Sequence, residues 1–367
     1  MMYLDDTVLN KQERVVIALR GIYERYGYMS FKMSKFEEYD LYSKNKDFLV
    51  SDRVITFNDT DGKLLALKPD VTLSIIKNTP SEDGYKNKVY YNENVYRVSQ
   101  KTSQFKEIMQ TGLECIGDID ITDIFEVLYL ATESLRATGA DYVINLSHMG
   151  IVTSLVDKFG AEFKDRALLL LSQKNAHEMG ALCEEYDVPE KDKRAILSLI
   201  NVYGEPSEFV DMLASLSDTP EYSASCDELS RLAELIGNSD FADRVKLDFS
   251  VVNDVNYYNG IVFRGYVSGV PEVVLLGGEY GRLIRRMGKR GGACGFALYT
   301  DLLSELYDEG NSFDVDTLIF YDDSTGADAV IEAKARLISE NKSFTAQKTL
   351  SKRIRYREIL NLSEDKK

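Results

Sequence analysis

The sequence has few of the residues on which common catalytic and metal sites depend. Only two histidines are present, His148 and His177, and neither has a second ligand at the spacing of a zinc site. Two histidines in ordinary contexts also do not build a persuasive Ser/His/Asp or Cys/His arrangement. The four cysteines lack CxxC spacing, so we expect free thiols in a reducing cytoplasm. We therefore predict no metal, no cofactor and no catalytic residue of these types.

Basic residues and long apolar runs are scarce as well. The 44 Lys and Arg against 60 Asp and Glu give a net charge of −16, which argues against nucleic acid as a main partner because phosphate binding needs a positive field. The first residues lack the basic and apolar regions of a signal peptide, and no apolar run has the length of a membrane span. We expect a cytoplasmic protein without membrane contact.

Apolar and aromatic residues, by contrast, are plentiful enough for a sizeable core and two or three domains. Hydrophobic periodicity predicts a helix over residues 10–26, where Asn10 and Glu13 have the spacing of a capping box. Residues 28–118 show the alternation of strands separated by polar turns, and residues 150–242 show the spacing of helices joined by short turns.

This order of elements predicts an α+β fold. We expect an antiparallel sheet core flanked by helices over residues 1–157 and 243–312, interrupted by a helical insertion over residues 158–242. Residues 313–367 are expected to form a short C-terminal α/β segment with a strand, a helix and a basic stretch.

The segment 105–117 carries the clearest pattern of a binding site. In a strand, alternate residues share a face, so Gln110, Gly112 and Glu114 would lie on one side. The glycine would leave room for a ligand against the sheet, the carboxylate could take an ammonium or imidazolium, and the amide could hold a second polar group. The same pattern is also typical of the solvent-facing side of an edge strand.

Other motifs have two interpretations. Asp70 and Thr72 stand between an apolar strand and an apolar helical run, where they could bind a ligand or cap the helix. The pair Asn259–Gly260 after two tyrosines suggests a tight hairpin. The stretch GGACGFALYTDLL (291–303) has the pattern of a strand or loop leading into a buried helix face beside a pocket, without a P-loop's spacing.

Taken in order, these motifs resemble class II aminoacyl-tRNA synthetases, specifically histidyl-tRNA synthetase, over roughly residues 5–310. The run 92–117 is similar to motif 2, with Arg97 on its first arginine. LALKPDVT (65–72) resembles the family's Leu-Arg-Pro-Glu-x-Thr signature, VNYYNGIVF (255–263) its Asp-Tyr-Tyr-Thr-Gly segment, and GGEYGRL (277–283) its Gly-Gly-Arg-Tyr-Asp-x-Leu. The stretch 291–303 occupies the place of motif 3.

The departures from the synthetase pattern indicate a different function. In the enzymes, motif 3 ends in an arginine that holds the ATP phosphates, whereas here Leu302 stands in its place. An apolar side chain cannot offset a triphosphate charge. Lys106 and Asn253 replace two further arginines, and fewer residues follow position 312 than the family's anticodon-binding domain has. These features resemble the regulatory subunit family of ATP phosphoribosyltransferase, which is synthetase-like but has no catalysis of its own.

That resemblance implies a role and a binding pocket. The family completes and activates a short catalytic chain in the first step of histidine biosynthesis, transmits feedback by histidine, and forms homodimers, here through residues 24–40, within a hetero-octamer. Residue by residue, the amino-acid pocket maps onto Asp70, Thr72, Gln110, Glu114, Tyr258 and Tyr280, and Arg97 would be a remnant of the nucleotide site. Asn253 would leave the ligand's carboxylate without a charge-assisted bond of about 1.5–3 kcal/mol.

Two other functions remain open at this point. The chain could be an active histidyl-tRNA synthetase, or a synthetase paralogue with ligase or RNA-binding function. Only the basic stretch 348–357 favours RNA binding, and such a stretch is also typical of a solvated helix or strand face.

Overall fold

An eight-stranded sheet organises the first of the two units into which the chain divides, Met1–Glu305 and Leu306–Lys367. The structure is a computed structural model that describes residues 9–49, 53–80, 84–98, 104–252, 257–303, 306 and 313–363. The described strands of the first unit are β1 (Met29–Ser30), β2 (Phe36–Glu38), β3 (Thr56–Asn58), β4 (Leu64–Leu67), β5 (Lys86–Val98), β6 (Phe105–Gly117), β7 (Tyr142–His148), β8 (Val245–Leu247), β9 (Ile261–Val267), β10 (Leu275–Glu279) and β11 (Gly292–Tyr299).

The strand order of the large sheet is β1-β5-β6-β11-β10-β9-β7-β8. The six inner strands pair antiparallel, while β1 on β5 and β8 on β7 are parallel pairs at the two edges. A second, three-stranded antiparallel sheet has the order β2-β4-β3. The predicted α+β fold with an antiparallel core is confirmed, and the parallel edge strands make the large sheet a mixed one.

Strand β6 is internal to this sheet. It pairs with β5 along its whole length, from Lys86 opposite Gly117 to Val98 opposite Phe105, and with β11 on its other side. Its carboxyl-terminal half is buried. The alternative that this segment is a solvent-facing edge strand is therefore wrong.

The described helices of the first unit are α1 (Lys11–Arg25), α2 (Tyr39–Ser43), α3 (Thr72–Asn78), α4 (Ile121–Arg136), α5 (Met149–Val156), α6 (Ala161–Ser172), α7 (Ala176–Glu185), α8 (Glu190–Ile200), α9 (Val210–Ala214), α10 (Pro220–Gly237) and α11 (Gly281–Arg286). The capping box predicted at the start of α1 is present: the Asn10 side chain accepts from the Glu13 N–H, and the Glu13 carboxylate accepts from the Asn10 N–H, both at 2.8 Å. This reciprocal pair satisfies two amides that the first turn leaves without partners.

The segment predicted to be helical is confirmed, since α5 to α10 follow one another between β7 and β8. Prolines mark its breaks: Pro189 precedes α8, Pro206 begins a 3-10 turn and Pro220 is the first residue of α10. A proline fits these positions because its missing N–H would have no partner in the first turn anyway. The finer boundaries of core and insertion, at residues 157 and 243, stay a prediction.

Two local expectations were wrong, the first of them only in part. The glycine-rich stretch contains the expected strand, β11 over Gly292–Tyr299, but the buried helix face expected after it is limited to a short 3-10 helix at Thr300–Leu303. Pairing with β6 and β10 on both sides overrides the helical spacing of its apolar residues. The pair Asn259–Gly260 makes no hairpin between β8 and β9, because β7 lies between those two strands and pairs with both.

The second unit is a small α/β structure, as predicted. Strands β12 (Val315–Phe320), β13 (Phe344–Gln347) and β14 (Tyr356–Asn361) form a parallel sheet of order β13-β12-β14, and helix α12 (Ala327–Ser339) packs on it through Ala333 and Leu337. The basic stretch is largely exposed, and several of its cations pair with acids: Lys348 with Asp323, Arg355 with Asp314 and Arg357 with Asp316. Exposure and pairing with acids are typical of a solvated face, the second interpretation of this stretch.

Candidate functional site

A cavity of about 550 Å³ lies on one face of the large sheet. Its volume falls within the roughly 300–1,000 Å³ of small-molecule sites. All six residues predicted for the amino-acid pocket line it together with the predicted nucleotide-site remnant: Asp70, Thr72, Gln110, Glu114, Tyr258, Tyr280 and Arg97. These residues lie between positions 70 and 280 of the chain, so only the fold brings them together.

The register of the strands explains this convergence. Gln110 and Glu114 are four residues apart on β6 and therefore point to the same face. Gly295 on β11 lies directly opposite Glu114, and a Cβ at this position would overlap the Glu114 carboxylate. The glycine therefore allows a carboxyl group to lie flat against the neighbouring strand.

Helices α3 and α11 bring further polar groups to the same face. Thr72 is the first residue of α3, and Tyr280 immediately precedes α11. Both helices are anchored by a buried apolar cluster that includes Leu73, Ile76, Val89, Val95 and Ile284. Each such side chain contributes about 1.5–3 kcal/mol on burial, which fixes the helix starts relative to β5 and β6.

Glu114 is the central acid of the cavity and is only 3% exposed. The Thr72 hydroxyl donates to its Oε1 at 2.7 Å, and the Tyr280 hydroxyl donates to its Oε2. Burial raises the pKa of Glu114 to about 8, although both hydrogen bonds lower it. The group therefore holds a proton near neutral pH, and an approaching cation would favour its ionised form.

Asp70 combines the two roles that the sequence left open. Its Oδ1 accepts the backbone N–H of Leu73 at 2.9 Å, which caps the start of α3, and the side chain also lines the cavity. Burial raises the pKa of Asp70, while the Leu73 amide and the charge of Arg97 lower it. Arg97 is held next to it, because its Nε donates to the Pro69 carbonyl at 2.8 Å.

Three tyrosines form an aromatic wall. The ring centroids of Tyr257 and Tyr258 are 4.7 Å apart, and those of Tyr257 and Tyr280 are 5.5 Å apart. Burial raises the pKa of all three well above the usual tyrosine value, so their hydroxyls stay neutral. Such rings can pack on a flat ligand or on a cation. Tyr257 was missed by the sequence interpretation, although its neighbour was chosen.

The space above Gly112 is not open to a ligand, contrary to the expectation. A Cβ at Gly112 would lie 2.7 Å from the Tyr91 hydroxyl and would also overlap the Phe296 carbonyl. The glycine accommodates the Tyr91 side chain from the neighbouring strand β5, whose backbone pairs with it directly. Tyr91 thus becomes part of the cavity lining in its place.

Gln110 is available for binding. Its side chain is 3% exposed and lines the cavity, and it forms no hydrogen bond within the described part of the chain. The amide can both donate and accept, so it suits a polar group of a ligand in the cavity.

Leu302, His148 and His177, also singled out in the sequence, are not part of this cavity lining. Leu302 is half-buried in the 3-10 turn after β11, and Asn253 is outside the described residues. His148 ends β7, as expected: its Nδ1 accepts the Gly150 N–H at 3.1 Å and its Nε2 lies 2.8 Å from Glu228. His177 is exposed on α7.

The four cysteines, Cys115, Cys183, Cys226 and Cys294, are free, as predicted, and all four are buried. Burial raises the pKa of Cys115 to about 12, so this thiol stays protonated. Among the residues with described positions, no group of three His, Cys, Asp or Glu side chains could hold a metal ion. None of the described helices is long and apolar enough to cross a bilayer.

Comparison with known proteins shows the family of the chain. A sequence profile described as histidyl-tRNA synthetase matches residues 4–303. A relative from Caldanaerobacter subterraneus subsp. tengcongensis, named ATP phosphoribosyltransferase regulatory subunit, is 30% identical over 286 residues, which are 76% of this chain and 74% of the relative.

Solved structures show the same fold. A protein from Bacillus halodurans C, described as an ATP phosphoribosyltransferase regulatory subunit/histidyl-tRNA synthetase, has a TM-score of 0.78 at 22% identity over 96% of this chain and 94% of its own. A chain of the ATP phosphoribosyl transferase (HisG:HisZ) complex from Thermotoga maritima has a TM-score of 0.62 at 19% identity, over 79% of this chain and 97% of its own.

The mixed sheet, the helices around it and the cavity on its face define a class II synthetase-like fold of the histidyl-tRNA synthetase type. Within this class, the chain belongs to the family of ATP phosphoribosyltransferase regulatory subunits. The resemblance that the motifs predicted is confirmed.

Proposed function

We propose that this chain is a regulatory subunit of ATP phosphoribosyltransferase in the cytoplasm. It would activate a separate, short catalytic chain and transmit feedback inhibition by L-histidine in the first step of histidine biosynthesis. The observation that carries the proposal is the cavity, in which two carboxyl groups, the half-buried Asp70 and the buried Glu114, lie beside an aromatic wall. Family membership then favours regulation over tRNA charging.

The chemistry of the cavity suits a histidine side chain and an ammonium group. Glu114 and Asp70 supply negative charge, Gln110 and Thr72 supply uncharged hydrogen-bonding groups, and Tyr258 belongs to the wall on which an imidazole could pack. Cationic groups entering this site would offset the cost of burying the carboxylates, which is what raises their pKa.

The proposed lack of catalysis rests on the residue at the position of the ATP-binding arginine of motif 3. Leu302 follows β11 where the resemblance puts the ATP-binding arginine, and a leucine offers no charge to a triphosphate. An ATP–pyrophosphate exchange assay tests this, with no histidine-dependent exchange expected. Robust exchange would favour the alternative of an active histidyl-tRNA synthetase.

The proposed assembly is a homodimer within a hetero-octamer with the catalytic chain. The HisG:HisZ complex whose chain shares this fold supports a catalytic partner of that kind. Light scattering of the mixed chains tests the assembly, and a gel shift with tRNA at physiological salt, with no shift expected, tests the expected absence of nucleic-acid binding.

The decisive experiment measures phosphoribosyl transfer to ATP by the short catalytic chain of the same organism. We expect activity only when this chain is present, and inhibition of the mixture by added L-histidine. A catalytic chain that is fully active alone and unaffected by this chain would overturn the proposal. Glu114→Gln should keep the stimulation and lose sensitivity to histidine, which separates assembly from effector binding.

A further inference from the structure

The cavity contains a cation that the sequence interpretation did not identify. Arg264 is on β9, lines the cavity and is half-buried. It stands in an otherwise apolar strand, with Val262 and Tyr266 as the alternate residues on its face. A charged residue at such a position must have a polar partner or face a polar ligand.

The strand register places Arg264 across the sheet from the acids. Arg264 is opposite Leu276 on β10, Leu276 is opposite Ala297 on β11, and Ala297 is opposite Gly112 on β6. Three steps of about 4.8 Å separate the backbones of β9 and β6 by roughly 14 Å. The floor between them consists of small or apolar residues, so the acids and Arg264 lie at opposite ends of the cavity.

The surroundings of Arg264 favour an anion. Val252, Val273 and Leu276 line the cavity near its end of the sheet, and apolar walls reduce screening of the guanidinium charge. Nη2 of the guanidinium lies 3.5 Å from the Val252 carbonyl oxygen. A guanidinium has five N–H donors, so it can bind a ligand carboxylate and keep its other partners.

Arg97, the other cation in the lining, is less suited to this role. Its Nε donates to the Pro69 carbonyl at 2.8 Å, and it lies close enough to Asp70 to lower the pKa of that carboxyl. A ligand carboxylate bound there would be repelled by Asp70.

We propose that Arg264 binds the α-carboxylate of the amino-acid effector, whose ammonium and imidazole groups face Asp70 and Glu114 at the other end. A zwitterion with a cationic side chain needs this separation of charges, and Arg264 would supply the charge-assisted bond that Asn253 cannot. The inference rests on the proposed function, because it names how the same cavity recognises its effector.

The test compares two ligands that differ in one group. L-Histidine and histamine share the imidazole and the amine, but histamine has no carboxylate. Isothermal titration of the wild-type chain, alone and with its catalytic partner, should show tighter binding of L-histidine. In Arg264→Gln, we expect L-histidine to bind about 10- to 100-fold more weakly, the equivalent of one charge-assisted hydrogen bond, and histamine to bind within about twofold of wild type.

Two further variants distinguish carboxylate binding by Arg264 from a nonspecific effect of replacing an arginine. Arg264→Lys keeps the charge without the two-pronged geometry and should recover part of the lost affinity. Arg231→Gln removes an exposed arginine on α10, which is not part of the cavity lining, and should change neither ligand. Unchanged histamine binding in Arg264→Gln shows that the cavity is intact.

The possible results test the role of Arg264 separately from the proposed role of L-histidine as the effector. Equal L-histidine affinity in wild type and Arg264→Gln would overturn the role of Arg264 and leave the histidine effector in place. Equal weakening of both ligands would also overturn it, because the carboxylate would then not be the group recognised. Absence of L-histidine binding to the wild type, with and without its partner, would overturn both.

Discussion

Glu114 and Glu279 are two carboxyl groups with the same raised pKa in different surroundings. Burial raises the pKa of each to about 8. Glu114 accepts from two side-chain hydroxyls and faces the cavity. Glu279, at the end of β10, accepts the Ile261 N–H at 2.7 Å and has the negative charge of Glu228 nearby, which also raises its pKa.

The difference teaches that a shifted pKa does not by itself mark a binding residue. Glu279 holds the start of β9 against β10, and its neighbour Glu228 is 2.8 Å from His148 at the start of α5. The cluster of Glu279, Glu228 and His148 therefore connects β9 to β10 and α10 to the start of α5. Glu114 differs because the hydroxyls that hold it, from Thr72 and Tyr280, belong to the same cavity as Gln110 and the aromatic wall.

The largest effect that we expect is on stability as the pH rises from about 5 to 8. Both folded-state pKa values lie above the ordinary glutamate value, so the folded chain binds more protons than the unfolded chain in this window, and stability falls as the pH rises. The slope is at most about 1.4 kcal/mol per pH unit for each group. Urea unfolding at several pH values measures it, and Glu114→Gln and Glu279→Gln should each flatten the curve. If the pH dependence of unfolding were unchanged in one variant, the glutamate replaced in that variant would not have a raised pKa in the folded chain.

The next effect separates the two acids by ligand binding. Glu114→Gln should weaken L-histidine binding about 10- to 100-fold, because a charge-assisted hydrogen bond is lost inside a buried site. Glu279→Gln should leave the affinity within about twofold, since Glu279 is not part of the cavity lining. Isothermal titration measures both, and equal losses in the two variants would contradict the assignment.

A third test uses the glycine beneath the carboxylate. Gly295→Ala would place a Cβ against the Glu114 carboxylate and the Leu113 carbonyl, which should destabilise the fold by about 1–3 kcal/mol in urea unfolding. Gly180→Ala is the matched control within helix α7, where nothing lies within 4 Å of an added Cβ, and it should stabilise by about 0.5–1 kcal/mol. The same sign in both variants would argue against a tight fit at Gly295.

The smallest effect concerns one hydroxyl. Thr72→Val removes the 2.7 Å hydrogen bond to Glu114 and keeps the side-chain shape, so we expect a loss of about 1 kcal/mol in stability. Thr153→Val on α5 is the control, because its hydroxyl donates to the Met149 carbonyl within its own helix. A shift in the pH dependence of unfolding should follow only Thr72→Val, and its absence would mean that this hydroxyl does not tune Glu114.

Much of the fold could be predicted from local patterns. The capping box of α1 and the helices between β7 and β8 follow from residue type and spacing alone. The alternation in β6 placed Gln110 and Glu114 on one face, because a strand has a period of two. Local patterns gave the wrong secondary structure where strand pairing determines it. The apolar residues of Gly292–Tyr299 have helical spacing, but the segment forms a strand because it hydrogen-bonds to two neighbouring strands.

By itself, the sequence determined which chemical groups are available and which families they resemble. It named Asp70, Thr72 and Glu114 from their motifs, since short motifs preserve order along the chain. It did not identify Tyr91, which has no distinguishing local signal, or Arg264, whose only signal is a charge in an apolar strand. Of the two adjacent tyrosines in residues 255–263, only Tyr258 was chosen and Tyr257 was missed.

The tertiary structure decided what those groups do together. It buried Glu114 between two hydroxyls, filled the space above Gly112 with Tyr91, and placed Arg264 three strands away from the acids on the same face. Distances between charges and their exposure to water depend on strand register and packing across the whole sheet. These quantities set the pKa values and the charge pattern of the cavity, and no short stretch of sequence contains them.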